Sequence, residues 1–367
     1  MPPSKKTIID FDFDTASPIP ILGPASVVKL TGIKMYKMPG VDLPSNAIFQ
    51  FIQKEWLKID YDEFVNKPVD YLVRKYLPEI FSLFEPLRRL PPIPVCLLNP
   101  YTFYLTLLPV LADPEFTNML IKLMAAAQEQ KQYLELASKY MKRMEKLGYP
   151  IFKGFTIYSP FDLLSDQVGG TSVIIDCYRR PDEVKKAVEK LACWNVEIAL
   201  HVIRKMATAM RALASISMVF IPLHAGPFLS RKHFEEIYWP PLKKVIHELA
   251  SHNLISLILF EGDWTRHLEY LKELPKGKSI AWFEKADLFK AKEVIGDRVC
   301  IKGNVSPALL THGTPKEIET YCKKLIDNVG DGGGYILDAG TLLEYEMKPE
   351  NIKAMVNIAR KYGVYRK

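Results

Sequence analysis

Apolar positions along this chain follow two rhythms, and the change between them falls near Gly148. Before it, apolar residues gather in short helical stretches broken by Pro and Gly, roughly 46–58, 61–66 and 68–77. A longer helix is predicted after Asp113-Pro114, where Asp suits the cap and Pro the first turn. From there to Leu147 apolar side chains recur at helical spacing (Met119, Leu123, Met124, Tyr133, Leu136, Ala137, Tyr140, Met141, Met144), and Gly148 supplies the stop. Beyond Gly148, short β-branched runs at 151–158, 216–223, 255–260, 279–283, 299–302 and 335–337 alternate with amphipathic helices at 182–212, 230–251, 266–274, 288–295 and 315–329. Such alternation predicts a parallel sheet.

Six candidate strands, with one or two more before Gly148, approach the eight of a closed barrel. The predicted fold is an α/β (β/α)8 barrel over 91–367, with residues 1–90 as an N-terminal helical extension packed on it. An open doubly wound sheet is the alternative. It lacks support, because no Gly-x-Gly-x-x-Gly or Gly-x-x-x-x-Gly-Lys-Ser/Thr follows a strand, and Gly332-Gly333-Gly334 precedes one. A barrel takes roughly 250 residues, so the 367 present leave room for one barrel with additions.

Composition then removes several function classes. With 48% hydrophobic and 25% charged residues the chain can build a full core, which excludes a disordered or fibrous protein. Lys+Arg 49 against Asp+Glu 42 gives +7, but the basic residues are scattered, so no nucleic-acid partner is expected and the charge suits docking of an acidic protein. The cysteines (Cys96, Cys177, Cys193, Cys300, Cys322) are odd in number and far apart, which predicts a reducing cytoplasmic setting and no thiolate zinc knuckle. The opening MPPSKKTIIDFDFD turns acidic before any apolar stretch, unlike a signal peptide. Residues 91–112 carry no charge over about a bilayer's length. Their five prolines and Asn99 argue against a spanning helix, so no membrane partner is expected, and the stretch reads as a buried loop and short helix beside a pocket.

In a parallel barrel the chemistry sits where strands end. Here 216–223 ends in His224; 255–260 in Glu261-Gly262-Asp263; 279–283 in Glu284, with Asp287 close behind; 299–302 in Gly303-Asn304; and 335–337 in Asp338. Asp162 follows the run 151–158. Asp287 serves equally as a helix cap, Lys290 and Lys292 read as a solvated helix face, and Asp176 with Arg179 reads as an ion pair holding a loop. Glu261, directly after ISLILF, is a buried carboxylate that needs a partner. His224, Glu261 and Asp263 could act as a divalent-metal ligand set or as general acid and base.

Three segments carry a resemblance. GNVSPALLTHGTPKEIETYCKKLIDNVGDGGGYILDAGTLLEYEMKPENIKAMV, SPFDLLSDQVGGTSVIIDCYRRPDEV and HAGPFLSRKHFEEIYWPPL resemble blocks of the uroporphyrinogen decarboxylase superfamily, over most of the chain beyond about Ile33. The resemblance implies a (β/α)8 barrel with its site at the C-terminal mouth. It also implies one of two chemistries, cofactor-free porphyrinogen decarboxylation or methyl exchange with a corrinoid protein. The decarboxylases hold their substrate's carboxylates with an arginine-rich N-terminal loop, whereas the first arginine here is Arg74. The thiol-methylating members carry His-x-Cys and a later Cys as zinc ligands; the matching positions here are Glu261-x-Asp263 and Thr341, so the thiolates are absent.

These departures leave a corrinoid-dependent methyltransferase acting on another donor as the expected function, with O-demethylation of a methoxylated aromatic preferred because a phenolate leaves well once its charge is neutralised. The alternatives are a decarboxylase (lyase) and a non-catalytic corrinoid- or ligand-binding barrel. Catalytic roles fall to His224, Glu261 and Asp263, the same three being the ligands if zinc is bound, and substrate binding to Asp162, Glu284, Asn304 and Asp338. The aromatics of 100–104 and 152–158 are candidates to line an aryl pocket, against their simpler reading as core. Expected partners are a corrinoid (cobalamin) protein and a small methylated substrate, with a homodimer as the assembly considered.

Overall fold

The strand-like runs after Gly148 form a parallel sheet in a computed structural model of the chain, which describes residues 3–16, 23–45, 47, 49–52, 54–150, 153–209 and 217–364. The chain divides into two compact units, one of Met1–Pro18, Met141–Leu163 and Leu191–Lys367, the other of Ile19–Tyr140 and Leu164–Lys190. The division expected at residue 90 falls inside the second unit.

That second unit is largely helical, with one small antiparallel pair, β1 (Tyr36–Lys37) and β2 (Gln50–Phe51). The helix expected at 46–58 is not found in the described part of that range; residues 46, 48 and 53 lie outside the described residues. Instead Ile52 N–H donates to Met35 O, and Phe51 and Ile52 pack around Met35, Trp56 and Ile80. Cross-strand packing outweighs local helix preference there. Tyr61–Asn66 is helical as predicted, capped by the Asp60 carboxylate, which accepts from Glu63 N–H.

Three segments adopt the wide π-helical turn: Leu72–Tyr76, Phe103–Leu107 and Phe234–Tyr238. Each runs into a helical segment with proline in its first turn, at Pro78, Pro109 and Pro240. Proline has no N–H to give and its ring crowds the carbonyl four residues back, and widening the preceding turn relieves that clash.

The charge-free stretch 91–112 is not buried. It forms short helical pieces (Ile93–Cys96, Pro100–Thr102, Phe103–Leu107, Leu108–Leu111), and Leu98, Tyr101 and Leu105 are each at least 75% exposed. Only one side, through Leu107, Val110 and Leu111, packs on Leu83, Leu87, Leu90, Phe116 and Met119. A short helix buries one stripe, so an apolar sequence on every side leaves the rest in solvent. The helix Pro114–Lys146 behaves likewise: Met119, Ala137, Tyr140 and Met144 are buried, but Met124 and Leu136 are exposed. In Gly170–Arg179 and the turn after it, Asp176 pairs with Arg180 at 2.7 Å rather than with Arg179, and Tyr61 Oη donates to it at 2.9 Å. No helix among the described residues is long and apolar enough to cross a membrane.

The first unit holds the sheet: β3 (Lys153–Thr156), β4 (Ser217–Leu223), β5 (Ile255–Phe260), β6 (Ser279–Phe283), β7 (Cys300–Gly303) and β8 (Tyr335–Ile336). Residues 151, 152 and 216 of the predicted runs, and 210–212 of the helix observed as Pro181–Ala209, lie outside the described residues. All pairs are parallel, in the order β3-β4-β5-β6-β7-β8. A doubly wound sheet reverses direction at a switch point, whereas this order never reverses and is that of a barrel wall. Closure between first and last strands is not present among the described residues.

Register separates the two faces. Ile221, Ile258, Ala281 and Ile301 share one row and are fully buried. The adjacent rows carry Phe220, Leu257, Ile280 and Cys300, then Pro222, Leu259, Trp282, Lys302 and Ile336, several of them half-buried. Side chains alternate along a strand, so one face is sealed and the other more open. Beside β5 the segment expected as an α-helix at 266–274 is a 3-10 helix, Thr265–Glu273.

Candidate functional site

Backbone hydrogen bonds continue past the strands and order the loops that follow them. Glu261 N–H donates to Leu223 O at 2.9 Å, Glu284 N–H to Phe260 O at 3.1 Å, and Val305 N–H to Asp338 O at 3.0 Å. His224, Glu261, Glu284, Asn304 and Asp338 therefore succeed one another along the C-terminal edge of β4 to β8.

Asp162, fully buried, is the hub at one end of this edge. One carboxylate oxygen accepts the backbone N–H groups of His224 (3.1 Å) and Ala225 (2.7 Å); the other accepts Tyr238 Oη at 2.8 Å and the Ser159 hydroxyl. Burial, and then the Asp162 charge, push the Tyr238 phenol well above its ordinary range, so it stays a donor. The His224 imidazole is about a third exposed, with Nδ1 3.6 Å from Asp162. Asp162 thus places His224 and is itself enclosed.

The next loop is shaped by Gly262, whose φ of +78° is open to glycine at little cost. Its N–H donates to Glu284 Oε2 at 2.7 Å, which ties the β5 and β6 loops together. Glu284 Oε1 lies 3.5 Å from Lys285. Gly340 approaches from the β8 side, where a Cβ would stand 2.7 Å from Glu284 O. Glu261 is half-buried, and its carbonyl accepts Trp264 Nε1 at 2.9 Å. Asp263 turns outward, exposed, accepting Thr265 N–H at 2.9 Å at the start of the 3-10 helix; hydrogen bonding from Thr265 holds its carboxyl below the usual range. Asp287 caps Leu288–Ile295 by accepting from Phe289 and Lys290. Lys292, expected on a solvated face, donates to the carbonyls of Asp331 and Gly333 and pins the glycine-rich turn.

Asn304 is buried, its Nδ2 donating to Ala286 O at 2.7 Å and its Oδ1 accepting from Tyr321 at 3.1 Å. Asp338 is committed on both oxygens, one to Ala339 N–H at 2.7 Å and the other to Lys302 Nζ at 2.6 Å. The sequence VCIKGN around Lys302 reads simply as a strand ending in a polar residue. The one signal for Lys302 is a lone ammonium in an otherwise apolar run.

Whether a zinc ion suits this edge can be judged from the donors. Among the described residues no three His, Cys, Asp or Glu side chains stand together to hold a metal ion, so His224, Glu261 and Asp263 do not form the expected ligand set. Asp263 faces its own helix start and His224 faces Asp162.

Compared with known proteins, residues 106–362 match the family model described as uroporphyrinogen decarboxylase. Curated relatives include uroporphyrinogen decarboxylases from Vesicomyosocius okutanii subsp. Calyptogena okutanii, 27% identical over 140 residues (38% of this chain, 40% of the relative), and from Pseudoalteromonas atlantica, 26% identical over 142 residues (38% and 39%). The chain thus spans about two fifths of the length of these relatives. Among solved structures, a methyltransferase from Methanosarcina mazei is similar in fold, with a TM-score of 0.57 and 16% identity over 98% of this chain and 84% of that one.

Proposed function

The chain belongs to the uroporphyrinogen decarboxylase family, and on that premise we propose that it is a methyltransferase moving a methyl group from a small methylated donor to the cobalt of a corrinoid held by a partner protein. The observation that carries this reading is the excess of carboxylates at the strand-end edge, where Glu261, Asp263, Glu284 and Asp338 stand against Lys285 beside Glu284 and Lys302 paired to Asp338. A substrate bearing many carboxylates would meet like charges there, which disfavours its binding. A neutral or singly charged donor escapes that penalty. The fold likeness to the Methanosarcina mazei methyltransferase supports the same choice.

A methoxylated aromatic is the preferred donor. The half-buried apolar side chains Phe220, Leu257 and Ile280 suit an aryl body. A reduced corrinoid presented by its partner would supply the electron pair for the methyl carbon, and the task of this chain's own residues is to stabilise the departing oxygen. His224, placed by Asp162 and partly exposed, is the residue assigned to donate that proton, with Glu261 beside it on the next strand end.

The test is incubation with chemically reduced cobalamin and separate donors (a methoxybenzene series, betaine, methyltetrahydrofolate), with uroporphyrinogen as the decarboxylation control. The expected result is loss of the reduced-corrinoid absorbance with methoxybenzenes and a drop on the order of 10²-fold or more in His224→Ala. No loss with any donor, or carbon dioxide release from uroporphyrinogen, overturns it.

A further inference from the structure

We propose that Lys302 is an oxyanion-binding subsite on the open face of the sheet, taking the single anionic oxygen of a small, largely apolar organic molecule. The proposal stands on the geometry around Lys302 and not on the methyl-transfer reading.

The ammonium is fixed by a closed frame. Lys302 and Trp282 are register partners on β7 and β6, and Ile336 follows on β8. Nζ lies 3.2 Å from the Trp282 ring centroid and 2.6 Å from Asp338 Oδ2. The frame closes through Ala339, whose N–H donates to Asp338 Oδ1 and whose carbonyl accepts Trp282 Nε1 at 2.8 Å. Neither the ring nor the carboxylate can move without breaking that loop, so the ammonium is held in one place.

Its hydrogen bonding is incomplete. An ammonium has three N–H donors; one meets Asp338, the ring occupies one side, and no other acceptor is present among the described residues. The lysine side chain is 13% exposed and the Asp338 side chain 35%, so the pair reaches solvent at the strand end. For stability alone a buried ion pair gains little over apolar residues of similar size. A positioned, desolvated ammonium with a donor to spare is instead suited to a charge-assisted hydrogen bond from a carboxylate or phenolate. Phe220, Ile280 and Ile336, half-buried on the same face, supply the apolar surroundings.

Binding is read directly, without corrinoid. The full-length protein is titrated with benzoate, with 4-nitrophenolate and with neutral benzamide, followed by calorimetry and by tryptophan fluorescence. Benzoate, or 4-nitrophenolate, should bind more tightly than benzamide, and whichever anion is preferred identifies the oxygen class. Lys302→Met should weaken the anion about tenfold or more and leave benzamide unchanged. The double variant Lys302→Met/Asp338→Asn, which leaves no lone carboxylate, should behave the same with a native melting curve, while Lys276→Met should match the wild type. Equal binding of anion and amide, no anion binding at millimolar concentration, or full anion affinity in the folded double variant overturns the proposal. A methyl-transfer assay that fails while this binding persists removes the reaction and leaves the subsite.

Discussion

His267 lies flat on Phe234, with ring centroids 3.9 Å apart and planes 16° from parallel, and its Nε2 accepts from Arg266 Nε at 3.0 Å. Burial, with the Arg266 charge adding to it, lowers its pKa to about 4. The unfolded chain takes up that proton near pH 6.5 and the folded chain does not, so the contribution to stability is complete above 6.5 and lost as pH falls toward 4. Between pH 7 and 4.5 the wild type should lose on the order of 2 kcal/mol more than His267→Gln in urea melts; parallel losses would refute this. Nothing in the six-residue context TRHLEY marks that imidazole as neutral, because the burial that contributes most comes from Phe234, a ring on a different helix. Asp338 and Lys302 make the same point. The carboxylate was legible from its place after a strand, while its role as holder of an ammonium depends on register between two strands.

Single elements are joined here by buried polar groups as much as by apolar contact. Asp162, in the first turn of Pro160–Val168, anchors the turn after β4 through two backbone N–H groups and reaches Tyr238 in the π-helical turn. Asp162→Ala would leave four donors buried without an acceptor, and should cost on the order of 3 kcal/mol or more; Tyr238→Phe should cost about 1 kcal/mol. Chemical denaturation checks both, and near-equal losses would show that Asp162 is not the hub. Element boundaries were legible where one periodicity ran unbroken: 255–260 and 279–283 match β5 and β6 to the residue, and 288–295 matches its helix. They were not legible where proline intervened or where a tertiary partner decided, as at 46–58 and 91–112. An apolar run states that burial is favourable without stating how much neighbouring surface there is to supply it.

The whole chain carries +7, with no concentrated basic stripe in the sequence. If an acidic corrinoid protein docks on it, raising salt from 50 to 300 mM should raise the apparent KM for that protein severalfold and leave kcat with free cobalamin unchanged; a salt-independent KM would count against electrostatic docking. The family and the α/β class were legible from three sequence blocks and the strand–helix alternation. The division into units was not, because it depends on which distant segments meet: residues 164–190 cluster with Ile19–Tyr140 although the segments flanking them belong to the sheet. The strand order has a further consequence. Each strand from β4 onward pairs with the one made just before it, so every new pairing closes a loop of one crossover. A chain emerging from the ribosome can therefore extend this sheet one strand at a time at a single growing edge, with the two-residue β8 as the last and smallest addition.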